Sequence, residues 1–312
     1  MTPWRVAWCL VPLGLAVTVH DRFALVILAA ASVQAFYVAS WDLVGNLSGR
    51  PTLGHALPMG AGAYVAAGLG GLGPVPFSVV IAGGALAGSL AGALQGRLSA
   101  KLNRLSVALV TLVTAECAHE LSTMLRLSWP GGLIVGGDGG IPATVFPPNE
   151  TTAARLAAAL LAAGMVGLLW IKGSGLGLAM RTVCAEARLA AASGIDAVRV
   201  RVLAFAIAGG AAGLCGGLVA SFIGRASPEM LSLEPSLLAA SVAGSAGPGT
   251  LVGPALTAYA VTALLQWLDA PGHIRLTLYA LILIAAVLWP RAAASLKLRR
   301  RGRGSMVPAR AQ

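Results

Sequence analysis

"RPTLGHALPMGAGAYVAAGLGGLG", residues 50–73, is apolar enough to sit in a membrane. Yet it carries Pro51, His55 and Pro58, and glycine at 54, 60, 62, 68, 70, 71 and 73. Proline and glycine are the residues least suited to an unbroken helix. A segment that only anchored a chain in lipid would avoid them. The stretch reads as a broken hydrophobic segment, and its surroundings decide what the break is for.

Those surroundings are a membrane protein. Of 312 residues, 57% are hydrophobic and only 11% charged, with a mean hydropathy of +0.82. Soluble domains carry about 25% charged residues. A helix needs about 20 apolar residues to cross the hydrocarbon core. Candidate spans fall near 4–20, 24–45, 54–72, 74–96, 105–127, 153–171, 199–222, 237–247, 251–268 and 275–290. Two of them, 54–72 and 237–247, are short or glycine-interrupted and read equally as crossing or re-entrant. The expected fold is an all-α polytopic membrane bundle of about 8–10 transmembrane helices. The first apolar run leads into "VTVHDRF" without a small-x-small cleavage site, so it reads as a retained helix. Cys9, Cys117, Cys184 and Cys215 lie far apart and form neither a metal motif nor a disulfide framework.

Charge orients the spans. With the N-terminus inside, 17 of the 22 basic residues fall in inner segments, as the positive-inside rule requires. Both termini are then cytoplasmic. The membrane domain covers 1–292, and 293–312 reads as a basic, disordered tail near anionic lipid. The first five spans start inside and the second five outside. In each half the third span is the broken one: "TLGHALPMGAGAY", then "LLAASVAGSAGPGTLVGP". Weak segments at matching positions of oppositely oriented halves point to a transporter built from inverted repeats. Irregular backbone at membrane depth belongs in protein or beside a cavity. Thr52, Gly54, His55, Gly60, Gly62, Gly247, Gly249 and Thr250 are therefore candidates to line a path. The rival reading of the glycines is close helix packing.

The longest inner loop, 172–201, is "KGSGLGLAMRTVCAEARLAAASGIDAVRVR". Its helix formers predict one short cytoplasmic helix within 178–196, closed by Gly194. Such an element docks into a groove on a partner or rests on lipid.

Charges inside spans are costly and usually functional. Glu116 lies 12 residues into its span, about 18 Å along a helix, followed by His119 and Glu120 on a similar face. This patch reads as facing a partner subunit or the path. The further carboxylates of a bundle metal site are not found in the sequence. Asp42 is similar, nearer the inner end, and His55 reads as a packed histidine at the broken helix. The three lysines, Lys101, Lys172 and Lys297, never follow a glycine, so no phosphate loop is present. Neither G-x-S-G nor H-E-x-x-H occurs. The sequence reads as a transport subunit rather than an enzyme, with no cofactor, no metal and no nucleic-acid partner.

Several motifs, in order along the chain, carry a resemblance. "GRPTLGHALPMGAGAY" is similar to G-x-x-SLGHAAFFGIGAY, with Thr52 in place of serine. "LVTLVTAE" at 109–116 is similar to LVTLAFAE, and "GGDGGI" at 136–141 to TGG-x-x-GI. "AGPGTLVGPAL" at 246–256 is similar to GG-x-GT-x-x-GP, with Ala246 replacing a glycine, and "VLWPR" at 287–291 closes the pattern. Together they resemble the permease of branched-chain amino acid ABC importers in the bacterial inner membrane. The resemblance implies a homologous second permease, two ATP-binding cassette ATPase subunits and a periplasmic substrate-binding protein. It also implies a coupling element around Arg181, Glu186, Ala187, Ala190, Ala191, Gly194 and Ile195. Two alternatives stay open: the same machine for urea, short amides or other amino acids, and a stand-alone ion-coupled carrier.

Overall fold

The computed structural model describes residues 21–73, 75–124, 126–128, 134–145 and 149–267. The expected first and tenth spans, the "VLWPR" motif and the basic tail lie outside the described residues. Helix α1 (Arg22–Asp42) runs into a wider π turn, Leu43–Leu47. Then come α2 (Ala56–Gly71), α3 (Phe77–Ser99) and α4 (Arg104–Met124). The second half has α5 (Glu150–Gly173), α6 (Gly175–Ala185), α7 (Ala187–Ala192), α8 (Ala197–Ile223), α9 (Leu233–Ser245) and α10 (Val252–Trp267).

The chain is an all-α polytopic membrane bundle. Among the described residues five helices are long and apolar enough to span: Arg22–Leu47, Phe77–Ser99, Arg104–Met124, Thr151–Gly173 and Ala197–Ile223. The third span of each half is shorter. Helix α2 has 16 residues and α9 has 13, about 24 Å and about 20 Å at 1.5 Å per residue. Neither covers a hydrocarbon core of about 30 Å alone.

The two ends of the bundle differ. At one end Arg50 donates to the Leu102 carbonyl, Arg201 to that of Ala100 at 2.5 Å, and Arg104 to that of Cys184 at 3.2 Å. This is the end where the inner basic segments of the sequence gather. The other end carries short antiparallel strands. β1 (Arg126–Ser128) pairs with β2 (Ile134–Gly136), and β3 (Ile141–Pro142) pairs with β4 (Arg225–Ala226). Pieces of two or three residues leave no alternation to read in a sequence.

The core runs along α1 and α8, each 67% buried across its apolar window, whereas α4 is only 22% buried. Helices α3 and α8 pack antiparallel through glycine. A Cβ on Gly88 would stand 2.3 Å from the Gly209 carbonyl oxygen, and one on Gly213 would stand 2.4 Å from that of Gly84. Lipid tails are as apolar as leucine, so helices in a bilayer gain by close backbone approach, which small residues at fourfold spacing permit. The stripe Gly84, Gly88, Gly92, Gly96 on α3 has that spacing.

Candidate functional site

The first break is built by polar groups that satisfy an unwound backbone. Between the π turn and α2 the chain is irregular yet buried at Ser48, Arg50, Thr52 and His55. Bare N–H and C=O groups cannot face lipid, and side chains meet them here. Trp41 Nε1 donates to the Thr52 carbonyl at 2.8 Å, and Gln95 Nε2 to that of Gly54 at 3.0 Å. The Leu53 N–H donates to Thr111 Oγ1 at 3.2 Å. The Ala56 N–H, at the start of α2, donates to Ser236 Oγ on α9 at 2.8 Å. His55 is buried beside Ser40, with Nε2 and Oγ 2.9 Å apart, and stacks tilted on Tyr37 at 4.9 Å between ring centres. At the basic end, burial and then the Arg201 and Arg104 charges lower the Arg50 guanidinium to about 10. It therefore stays protonated at neutral pH.

The structure brings Thr52, Gly54 and His55 together at this break. Gly60 and Gly62 lie 4 and 6 residues into α2 from Ala56, in tight contacts. Added Cβ atoms would stand 2.2 Å from Leu231 Cδ2 and 2.2 Å from the Gly213 carbonyl oxygen. Gly54 is equally confined, 2.0 Å from the Thr111 carbonyl oxygen. Within this subunit the three glycines make close approaches, as the packing reading expects.

The second break is separate and sits where α9 gives way to α10. Gly247 and Gly249 have φ of +85° and +73°, and Leu251 follows at +65°. The turn is held from two sides. Asp42 at the end of α1 accepts from the N–H groups of Gly249 and Leu251, both at 2.8 Å. Lys172 at the end of α5 donates to the carbonyls of Gly249 at 2.7 Å and Thr250 at 3.2 Å. Thr250 Oγ1 turns back onto the Gly247 carbonyl at 2.7 Å. Asn46 Nδ2 bridges the Asp42 carboxylate at 2.5 Å and the Ala243 carbonyl at 3.3 Å. Gly247, Gly249 and Thr250 thus form a turn at the basic end. Sequence reasoning singled out Asp42 but missed Lys172, Asn46 and Gln95. A lone amide in an apolar span was the available signal for Gln95.

The inner loop corrects one expectation. It is not one helix but two, broken at Glu186, where the backbone is extended (φ −154°, ψ 102°). The Glu186 carboxylate then accepts from the Arg188 N–H at 3.4 Å and starts α7. Arg181 ties α6 back to α5 by donating to the Lys172 carbonyl at 3.1 Å. Gly194 closes the arm at φ +79°, as a helix-ending glycine does. Asp196 caps α8 through the N–H groups of Val198 and Arg199. Leu178, Leu189, Ala187 and Ala191 have exposed or half-exposed side chains, Ile195 is half-buried, and Ala190 is fully buried beneath them.

Glu116 sits half-buried on α4, with Cys117 and Glu120 exposed on the same helix. His119 Nδ1 lies 2.9 Å from the Pro228 carbonyl, which orients the ring toward the turn before α9. No group of three or more metal-ligating side chains occurs among the described residues. A cavity of about 600 Å³ reaches from Val26 and Ile223, away from the basic end, past Gln34 and Leu238 to Met59 in the first turn of α2.

Broken third spans, a basic end bearing a two-helix arm, and a bundle of apolar helices agree with one comparison. The sequence profile of the family described as "Branched-chain amino acid transport system / permease component" matches residues 23–288. The chain belongs to that family. No curated protein and no solved structure matches it. The permease is accordingly a multi-pass membrane protein and a transport subunit. The match runs through both breaks, the arm and the α3–α8 seam.

Proposed function

We propose that this permease is the membrane subunit of an ATP-driven importer in the bacterial inner membrane. It would carry branched-chain amino acids or related small solutes handed over by a periplasmic binding protein. Two ATPase subunits and a second permease would complete the machine, with both termini of this chain cytoplasmic. The observation that carries the reading is the arm α6–α7. It stands at the basic end, is tied to α5 by Arg181, and presents Leu178 and Leu189 at 61% and 67% exposure. Exposed leucines on a short helix suit a groove on a partner protein. Arg181, Glu186, Ala187, Ala190, Ala191, Gly194 and Ile195 would shape that element. The path would pass the break at Thr52, Gly54 and His55, the α2 glycines Gly60 and Gly62, and Glu116, with Gly247, Gly249 and Thr250 at its inner end.

The test is a tagged pull-down in mild detergent from cells expressing the neighbouring genes, followed by uptake in liposomes. Recovery of two ATPase subunits and ATP-dependent leucine uptake supports the reading. A chain that purifies alone and moves solute under an ion gradient replaces it with the ion-coupled carrier.

A further inference from the structure

Two buried or half-buried charges from different helices hold one turn, and one of them also anchors the arm. The Asp42 carboxylate takes two N–H groups of the 246–251 turn, whereas the Lys172 ammonium takes two of its carbonyls. The turn thus offers its donors to α1 and its acceptors to α5. Three positive φ angles fall in this turn, one of them at Leu251. A non-glycine residue at positive φ persists only where its surroundings impose it. The backbone of Lys172 is itself the seat of the arm. Arg181 donates to its carbonyl, and a side chain on Gly177 would stand 2.4 Å from that same oxygen. Arm, Lys172 and turn are therefore joined in series by hydrogen bonds, through the Arg181 guanidinium and the Lys172 ammonium. Asn46 extends the connection to the last turn of α9 through the Ala243 carbonyl.

We infer that Asp42 and Lys172 clamp the 246–251 turn from two sides and that Lys172, as the seat of the α6–α7 arm, ties the arm to this clamped turn, so that movement imposed on the arm reaches α9 and α10. They act as positioning residues for transport. The inference rests on the importer reading for the origin of that movement, but the clamp itself rests on geometry alone.

Amide hydrogen exchange on the full chain in detergent tests the clamp first. Lys172→Met and Asp42→Asn should raise exchange at Gly249 and Leu251 at least tenfold, and Lys172→Arg less than threefold. The complex with its ATPase subunits, reconstituted in liposomes, then tests transmission with leucine as the probe. Uptake per ATP hydrolysed should fall at least tenfold in Lys172→Met and Asp42→Asn, with ATPase rates within twofold of the parent. Lys172→Arg should keep the ratio within threefold. Should Asp42→Asn fail to fold, the two Lys172 variants decide the matter, since that side chain lies half-exposed at a helix end. Unchanged exchange overturns the clamp. Faster exchange with an unchanged ratio overturns its role in transmission. If the parent complex does not assemble or take up leucine, the importer reading falls, while exchange in the isolated chain still decides whether the clamp holds the turn.

Discussion

The backbone N–H of Ala56 donates to Ser236 Oγ at 2.8 Å, and both residues are fully buried. The first residue of α2 and the first turn of α9 are thus one hydrogen bond apart. Helix α2 runs from this point toward the strand-bearing end, and α9 runs toward the basic end. The two broken segments of the sequence meet at their N-termini, where helix dipoles are positive.

Removing that bond has a defined cost. Ser236→Ala leaves a buried N–H without its partner, which costs about 1–3 kcal/mol. The expected result is a lower unfolding midpoint in detergent with unchanged expression. An unchanged midpoint would show that water or another group satisfies Ala56.

At Gly88 and Gly209 the α3–α8 seam is backbone against backbone, with no room for a side chain. Gly88→Ala and Gly209→Ala should each destabilise by about 1–3 kcal/mol through overpacking. Gly68→Ala, whose Cβ meets nothing within 4 Å, should be neutral or slightly stabilising because alanine favours helix. Thermal unfolding of the three variants side by side checks the contrast.

Docking by the arm predicts a split among its residues. Leu189→Asp and Ala191→Asp alter exposed positions and should abolish recovery of the ATPase while leaving the melting behaviour intact. Ala190→Asp buries a carboxylate and should disrupt the arm itself. Co-purification and melting curves separate the two classes. Equal ATPase recovery from all three variants would rule out docking through this face.

Cysteine labelling reads the orientation. Cys184 lies half-exposed at the basic end and Cys215 is buried in α8. A membrane-impermeant maleimide should label Cys184 in inside-out vesicles but not in right-side-out ones. Cys215 should stay unlabelled in both until the protein is denatured. Labelling of Cys184 from the outside would invert the proposed topology.

Glu116 and Glu120 test the α4 face. A charge near mid-membrane costs about 2.5–3.5 kcal/mol on insertion scales. If the face meets lipid, Glu116→Leu and Glu120→Leu should raise stability. If it meets the path or a second permease, uptake should fall about tenfold or more with unchanged membrane levels. Uptake and melting on the same samples decide between them.

Much of this was legible in the residues. Long apolar runs give long helices because lipid leaves the backbone no other partner. The glycines and Pro51 marked the break before α2, and Gly194 marked the end of the arm. The site was less legible. Which side chain satisfies which unwound peptide depends on contacts 11 to 209 residues apart, as with Trp41 to Thr52 and Asp42 to Leu251. No local pattern encodes those. The break at Glu186 was missed because "AEARLAAA" is rich in strong helix formers, and the weaker formers Thr182, Val183 and Cys184 before it are too mild a signal to mark a stop.

The glycine seam has a mechanical meaning as well. A helix pair that meets through flexible side chains can slide, because rotamers absorb the shift. Carbonyl oxygens against bare α-carbons have no rotamers. The first half of the chain, through α3, and the second half, through α8, are consequently locked like two gear racks pressed tooth to tooth. A movement that keeps this contact would turn about the seam rather than slide along it.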